Sequence, residues 1–202
     1  MLNKLIISVL SIALALPLFA VALDAAAKDN PRVHVVTNKG EFTLELYPEK
    51  APITVENFLY YVNSKFYDET LIHRVEKGFV LQGGGYTVDN IKKETAAPIK
   101  NEADNGLKND RYTISMARTN EINSATSQFF INLKDNPALD HKGESQYGYA
   151  VFGKVVEGQE TIDKIGKVEA RMKDGMHQPV KKVIIESMRV AGKEEGKGKK
   201  EE

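Results

Sequence analysis

The stretch LIHRVEKGFVLQGGG, residues 71–85, carries the pattern from which the fold of this chain is predicted. Apolar and polar residues alternate on either side of Glu76-Lys77-Gly78, which predicts two short strands joined by a turn. Strict alternation along the first strand places Arg74 on the face opposite to His73. We therefore expect Arg74 to face outward from the sheet, while His73 is interpreted as a strand histidine bonded to backbone rather than as a base.

The second strand of this stretch supplies further candidate site residues. Val80 and Gln82 lie two apart and are expected on one face, beside an exposed Phe79. The glycines at 83–85 leave room for another backbone to approach closely. A guanidinium, an amide and an aromatic ring could therefore line one surface. The alternative, on this stretch alone, is a barrel strand pair with a solvated arginine.

Composition bounds the function classes. The chain has 202 residues, which suits one domain with a real core, and its formal net charge is zero. A neutral chain gives no reason to expect nucleic acid as a partner. There is no cysteine, and the four histidines show no metal-ligand spacing, so we expect no metal and no cofactor. The glycines at 83–85 lack the spacing of a phosphate loop, and no serine-hydrolase pattern is evident.

The N-terminus predicts a secretory signal peptide over residues 1–27. Lys4 precedes an uncharged run over residues 5–23, broken by Pro17, and Ala-x-Ala sites follow at residues 20–22 and 25–27. An uncleaved membrane anchor is the alternative, since the run is nearly long enough to span a bilayer. We expect cleavage, a folded domain over residues 28–190 outside the cytoplasm without a membrane attachment, and a charged, disordered tail over 191–202.

The domain itself predicts many short strands and two helices. A hairpin is expected from residues 32–37 and 41–46, and a helix over residues 54–64 with Thr54 as its N-cap. A long, irregular excursion is expected over 86–110. The remaining predictions are strands at 111–118, 128–132, 151–156 and 180–190 and a helix at 158–165. This pattern indicates an all-β barrel or sandwich with the helices over its open ends, and strand patterns alone leave that choice open.

Two adjacent phenylalanines give the facing of one strand. In QFFIN, residues 128–132, Gln128, Phe130 and Asn132 share one face, and Phe129 and Ile131 share the other. Both rings cannot enter the core of a strand that buries one side. We therefore expect Phe129 in the core and Phe130 on the polar, outer side.

Several short motifs follow one another in a fixed order between about residue 33 and residue 190: His73-Arg74, Gly78-Phe79, Gln82-Gly83-Gly84, the segment NEADNGL at 101–107, Met116-Ala117, Ser127-Gln128-Phe129-Phe130-Ile131, Leu139-Asp140 and Val151-Phe152-Gly153-Lys154-Val155. Taken together, these motifs resemble the cyclophilin family of peptidyl-prolyl cis-trans isomerases, and in particular its periplasmic bacterial branch. This resemblance implies a mainly β fold, an eight-stranded antiparallel closed barrel capped by two α-helices.

The resemblance also implies roles for particular residues. The catalytic set it implies is Arg74, Gln82, Phe79 and Phe130. The substrate-binding set it implies is Val80, Ala117, Arg118, Thr119, Leu139 and Tyr149, in which Arg118 replaces a common asparagine and Tyr149 a common histidine. The apolar members would take the proline ring, and the backbone at 117–119 would hold the peptide in an extended pose.

The function implied is isomerisation of X–Pro bonds in exported proteins as they fold, by a periplasmic monomer. The expected partners are proline-containing peptides and unfolded or folding exported proteins. A second class stays open, a proline-recognition or chaperone-like module whose turnover is incidental. Arg74 favours the enzyme, because a pure binder would not need a donor aimed at the proline nitrogen.

Overall fold

The computed structural model describes residues 30–192. The predicted signal peptide and the predicted tail beyond residue 192 lie outside the described residues. Over the described range, no helix is both long enough and apolar enough to cross a membrane.

Eight strands form one closed antiparallel barrel, which confirms the predicted fold class. The barrel strands are β1 (Arg32–Thr37), β2 (Gly40–Leu46), β3 (Thr70–Glu76), β4 (Val80–Thr87), β5 (Thr113–Met116), β6 (Phe129–Asn132), β7 (Val151–Glu157) and β10 (Ile184–Val190). Around the barrel they follow the order β1-β10-β3-β4-β6-β5-β7-β2, and β2 pairs with β1 to close it. The other elements are α1 (Pro52–Asn63), α2 (Gln159–Gly166) and a separate hairpin of β8 (Ala170–Lys173) and β9 (Met176–Pro179).

The core fills the barrel and extends beneath α1. Alternate strand residues point inward, as in β1, where Val33 and Val35 are fully buried. From α1, Phe58 packs its ring 5.1 Å from that of Phe152 and 5.8 Å from that of Phe129. Burying one such side chain contributes about 1.5–3 kcal/mol, so this aromatic contact fixes the helix over its end of the barrel.

Helix α1 begins earlier than predicted, and Thr54 is not its N-cap. The helix starts at Pro52, a favoured first residue, after Ala51, which has no side chain that can cap. The Glu102 carboxylate, on a loop distant in sequence, caps the helix instead. It accepts hydrogen bonds from the backbone N–H groups of Ile53 at 3.2 Å and Thr54 at 2.8 Å, and from the Thr54 hydroxyl at 2.7 Å. The negative charge also complements the positive end of the helix dipole.

The stretch between β4 and β5 is irregular, as predicted, but it is tied down at several points. Ile99 forms an isolated bridge with Ala125, and the backbone N–H of Asn101 donates to Asn123 Oδ1 at 2.9 Å. Together with the contact of Glu102 to α1, these bonds hold the loop against the barrel.

Strand β3 contains a bulge: Arg74 faces outward, as predicted, but the prediction that His73 lies on the opposite face of the strand is wrong. The pairing with β4 shifts between Ile72 and Arg74, so that β3 has one extra residue there. Ile72 and Val75 both belong to the core, although strict alternation would separate them. His73 and Arg74, the two residues between them, instead line clefts on the outer surface, so both side chains lie outside the barrel interior.

The hairpin of β8 and β9 was not predicted, and the last barrel strand is shorter than the predicted range 180–190. The hairpin turns at Asp174-Gly175, where both residues have positive φ, +50° and +79°. An Asp-Gly pair at such a turn is a known hairpin signal. Nδ1 of His177 lies 2.7 Å from Glu76 Oε2 and ties the hairpin to β3.

Candidate active site

One row of outward side chains crosses three neighbouring strands. Arg74 on β3 is the register partner of Gln82 on β4, and Gln82 is the partner of Phe130 on β6. The bulge at His73 turns Arg74 outward into this row, because it shifts the alternation by one residue. A guanidinium, an amide and an aromatic ring therefore lie side by side on the outer face of the barrel.

This row borders a pocket of ≈ 120 Å³. Its lining contains nine of the ten predicted site residues: Arg74, Phe79, Val80, Gln82, Ala117, Arg118, Phe130, Leu139 and Tyr149. Thr119, the tenth, lies outside it and lines a neighbouring cavity of ≈ 310 Å³, which Gln82, Ala117 and Arg118 also border.

The apolar side of the pocket is built on Phe130. Its ring lies 5.5 Å from the ring of Tyr149 in an edge-to-face arrangement, and Val80 is buried beside the same pocket. Phe129, the next residue on the strand, is fully buried in the core and contacts Tyr67 edge to face at 5.6 Å. The predicted facing of the two phenylalanines is confirmed.

Arg74 lies at the polar edge with its side chain 31% exposed. Its Nη1 donates to Gln82 Oε1 at 3.5 Å, its Nη2 lies 3.9 Å from Glu76 Oε2, and its Cζ lies 5.9 Å from the centre of the Phe79 ring. A guanidinium has five N–H donors, so these loose contacts orient the group and leave donors for a ligand.

Gln128 belongs to the site and was missed as a site residue. Gln82 Nε2 donates to Gln128 Oε1 at 2.9 Å, which leaves Gln82 Oε1 turned toward Arg74. Gln128 thereby sets the orientation of the amide that contacts the guanidinium. The alternation in residues 128–132 places Gln128 on the face of Phe130, and that signal could have identified it.

Arg118 covers the far wall of the pocket. Its guanidinium carbon lies 4.6 Å from the centre of the Tyr149 ring, and its Nε donates to the Gly148 carbonyl at 3.0 Å. Its Nη1 donates to the Thr119 carbonyl at 2.8 Å. Within residues 30–192, no hydrogen-bond partner is found for the backbone N–H or C=O of Arg118, which are therefore available to an extended ligand.

A buried amide network behind the pocket holds two of its walls, and the sequence did not reveal it. Asn136 Nδ2 donates to the Phe79 carbonyl at 3.0 Å and to Asn132 Oδ1 at 2.7 Å. The Asn136 carbonyl accepts the N–H of Leu139 at 2.9 Å. Both Asn132 and Asn136 are buried, so these bonds are costly to lose and fix the segments that carry Phe79 and Leu139.

The site combines an apolar pocket with a cation that does not deprotonate in proteins. Such an arrangement can bind an apolar ring and donate hydrogen bonds to the polar group beside it. In the described part of the chain, no three His, Cys, Asp or Glu side chains lie close enough together to hold a metal ion. His73, the neighbour of Arg74 in the sequence, does not line this pocket. Burial lowers the pKa of His73 to about 4, although the Leu71 carbonyl acts in the opposite direction and raises it.

Comparison with known proteins gives the family. Residues 32–190 match the family described as "Cyclophilin type peptidyl-prolyl cis-trans isomerase/CLD". The chain is 54% identical over 164 residues to peptidyl-prolyl cis-trans isomerase cyp18 of Streptomyces antibioticus, covering 79% of this chain and 98% of that protein. It is 49% identical over 190 residues to peptidyl-prolyl cis-trans isomerase A of Dickeya dadantii, covering 93% of this chain and 96% of that protein.

A solved structure of a cyclophilin-type isomerase also matches this chain. The structure of a Cryptosporidium parvum cyclophilin-type isomerase, determined in the presence of the dipeptide Ala-Pro, superposes with a TM-score of 0.65. The two chains are 29% identical, and the match covers 79% of this chain and 98% of that one.

Proposed function

The chain belongs to the cyclophilin-type peptidyl-prolyl cis-trans isomerases, and from that premise we propose that it rotates X–Pro bonds of exported proteins in the pocket beside Arg74. The observation that carries the assignment of the pocket is the placement of Arg74 directly beside the apolar wall of Phe130. An X–Pro unit has the matching chemistry, an apolar ring joined to a polar amide.

The chemistry required is rotation about one amide bond. Resonance gives that bond partial double-bond character and a barrier of roughly 18–20 kcal/mol. A catalyst must therefore favour the twisted amide over both planar isomers. When the amide twists, its nitrogen loses conjugation and becomes a hydrogen-bond acceptor. Arg74 can donate to this nitrogen throughout the reaction, because the guanidinium keeps its own protons.

The apolar residues act by holding the ring while the other side of the bond turns. Phe130, Val80 and Leu139 provide a fixed surface for the proline ring, since Val80 and Phe130 are only 2% and 4% exposed. A rate gain of about 10⁵-fold requires roughly 7 kcal/mol of preferential stabilisation of the twisted state. One oriented guanidinium contributes about 3–4 kcal/mol of this, by analogy with removing one oxyanion donor, and the shaped pocket supplies the rest.

The residues before the proline lie along the strand end at 117–119 in this proposal. Arg118 offers an unused backbone N–H and C=O there, the two groups that an extended peptide pairs with. The N–H of Ala117 already donates to the Gln128 carbonyl at 2.9 Å, so Arg118 is the position that receives the substrate backbone.

Export of the protein and of its substrates is supported by the sequence of residues 1–27, with its basic start, apolar run and Ala-x-Ala sites. Mass measurement of the protein from the periplasmic fraction of a bacterial host tests this. Export predicts a mature chain that begins near residue 28 and is absent from the cytoplasm. A full-length chain found only in the cytoplasm would contradict it.

NMR exchange spectroscopy on an X–Pro peptide tests the site directly. The wild-type protein should produce cis–trans exchange peaks at catalytic concentration, and the peptide should shift the backbone amide of Arg118 and the Phe130 side-chain signals. Exchange without any shift at these positions would place the reaction elsewhere. Shifts without exchange would identify a binding module instead of an enzyme.

A further inference from the structure

A second cleft opens on the other side of β3, beneath the β8–β9 hairpin. Its volume is ≈ 300 Å³. It is lined by residues of β3 that include His73, by Asn90, and by residues of the hairpin and the segment after it that include Lys173, Gln178 and Lys182. The contact of His177 with Glu76 holds the hairpin over this side of β3 and therefore fixes the wall of the cleft.

The charges at this cleft are all of one sign. Arg171, Lys173 and Lys182 line it, and no carboxylate does, although the whole chain carries no net charge. Arg171 is paired with Glu169 at 3.0 Å. Among residues 30–192 no hydrogen bond or ion pair is found for the ammonium groups of Lys173 and Lys182, so the lining of this cleft includes two unpaired lysines. Asp174 borders only a smaller adjoining cavity of ≈ 140 Å³.

A buried, unpaired ring nitrogen lies at the inner end. His73 is 6% exposed and lines both the cleft and the adjoining cavity, and its Nδ1 is the one buried side-chain nitrogen or oxygen in the described residues that lacks a hydrogen-bond partner. Leaving such a group unpaired costs about 1–3 kcal/mol, so an orphaned atom indicates a missing polar partner.

The rest of the lining is apolar. Leu71 and Pro179 border the cleft, and Val180 is 44% exposed beside it. A bare inorganic ion gains nothing from such surface, whereas a peptide segment that carries both carboxylates and aliphatic groups contacts both parts.

We propose that this cleft binds an acidic segment of the polypeptide substrate, with Lys173 and Lys182 receiving its carboxylates. The proposal rests on the proposed function, because the cleft and the Arg74 pocket are lined by the consecutive residues His73 and Arg74. In this proposal, a substrate chain whose X–Pro bond lies beside Arg74 extends flanking residues toward the cleft. Substrates with Asp or Glu near the proline are then preferred.

The first experiment measures binding without isomerisation. A short proline-free peptide rich in Glu and Leu is titrated into the ¹⁵N-labelled protein, and its Gln counterpart serves as the matched ligand. The acidic peptide should shift the amides of His73, Asn90 and Gln178, and the Gln peptide should not. Inorganic phosphate is titrated in parallel. Equal shifts from the Gln peptide, or equal affinity for phosphate, would overturn the assignment to an acidic polypeptide.

The second experiment compares variants. Lys173→Ala with Lys182→Ala should reduce kcat/KM about fivefold for an X–Pro peptide with flanking Glu, and leave the matched Gln peptide unchanged. Lys181→Ala is the control, since Lys181 is exposed on the same segment but does not line the cleft. An equal loss in the control, or no loss in the double variant, would contradict the proposal.

The two proposals fail in different ways. If the protein isomerises neither peptide, the proposed function fails, while the proline-free titration still decides whether the cleft binds carboxylates. If both peptides are isomerised equally and the acidic peptide causes no shift at His73, the cleft proposal fails alone.

Discussion

Replacing Phe129 or Phe130 by alanine distinguishes the contribution of the barrel core from that of the pocket, because the two rings are adjacent in sequence and point to opposite sides of β6. Phe129 is fully buried and meets Phe58 and Tyr67 edge to face at 5.8 and 5.6 Å. Its removal leaves a cavity closed to water. We expect Phe129→Ala to lower the free energy of unfolding by about 3–5 kcal/mol.

Phe130 is almost as buried, at 4% exposed, but its neighbours border a pocket that opens to solvent. Water can fill the space that the ring leaves, so the cavity contribution is small and the loss of burial remains, about 1.5–3 kcal/mol. Its effect on catalysis should be larger. Losing the surface that holds the proline ring should reduce kcat/KM about 10- to 100-fold, which corresponds to about 1.4–2.7 kcal/mol.

Urea unfolding and kcat/KM for an X–Pro peptide, measured on both variants, give the comparison, with Phe129→Leu and Phe130→Leu as controls that keep most of the volume. After correction for the folded fraction, Phe129→Ala should retain near-normal activity. If Phe130→Ala is the less stable variant and Phe129→Ala the less active one, the facing of β6 and the role of its pocket side are both wrong.

Three further predictions concern a charge, a cap and a titration. Arg74→Ala should lower kcat/KM about 10²- to 10³-fold while its circular dichroism spectrum stays native, and Arg74→Lys should also have a low kcat/KM because a point charge cannot replace the planar guanidinium. Near-full activity of Arg74→Ala would show that the role of the arginine is structural. Glu102→Ala should lower the free energy of unfolding by about 2 kcal/mol, because it removes the cap of α1, while substitution of the exposed neighbour, Asp104→Ala, should have little effect. If urea denaturation gives equal losses for the two variants, Glu102 does not stabilise the protein by capping α1. The pKa of His73 is lowered to about 4 in the folded protein, from 6.5, so the unfolded chain binds more protons between these two pH values. The contribution of His73 to the free energy of unfolding is therefore fully present above pH 6.5 and falls by about 1.4 kcal/mol per pH unit down to pH 4, about 3 kcal/mol in all. His73→Gln should flatten this slope, and an unchanged slope would assign the pH dependence to other groups.

The facing of single strands could be predicted from local alternation, whereas the closed barrel and the site residues were implied by the resemblance to a family. Alternation in residues 128–132 was sufficient to predict that Phe129 points into the core and Phe130 points outward. The order of motifs from His73 to Val155 carried the resemblance that implied the barrel. Four of the nine predicted residues that line one pocket, Arg74, Val80, Gln82 and Phe130, lie on the paired strands β3, β4 and β6. The other five lie outside these strands, where strand alternation makes no prediction.

The errors arise where one residue or a distant partner changes the local rule. The bulge at His73 adds a residue to β3, and strict period-two alternation cannot anticipate it. The start of α1 depends on Glu102, which lies 49 residues after Ile53 in the sequence, so no local capping signal reveals it. The hairpin of β8 and β9 carries no fully buried residue, and without an apolar face its only strong signal is Asp174-Gly175.

The position of β10 has a consequence for how the chain is made. This strand, the last in the described part of the chain, pairs with β1 on one side and β3 on the other, so the barrel keeps two open edges until residues 184–190 have left the ribosome. A chain that emerges N-terminus first therefore completes its barrel only after synthesis of residues 184–190. Chains arrested before Ile184 should be cleaved rapidly by added protease, while the released full-length chain resists it.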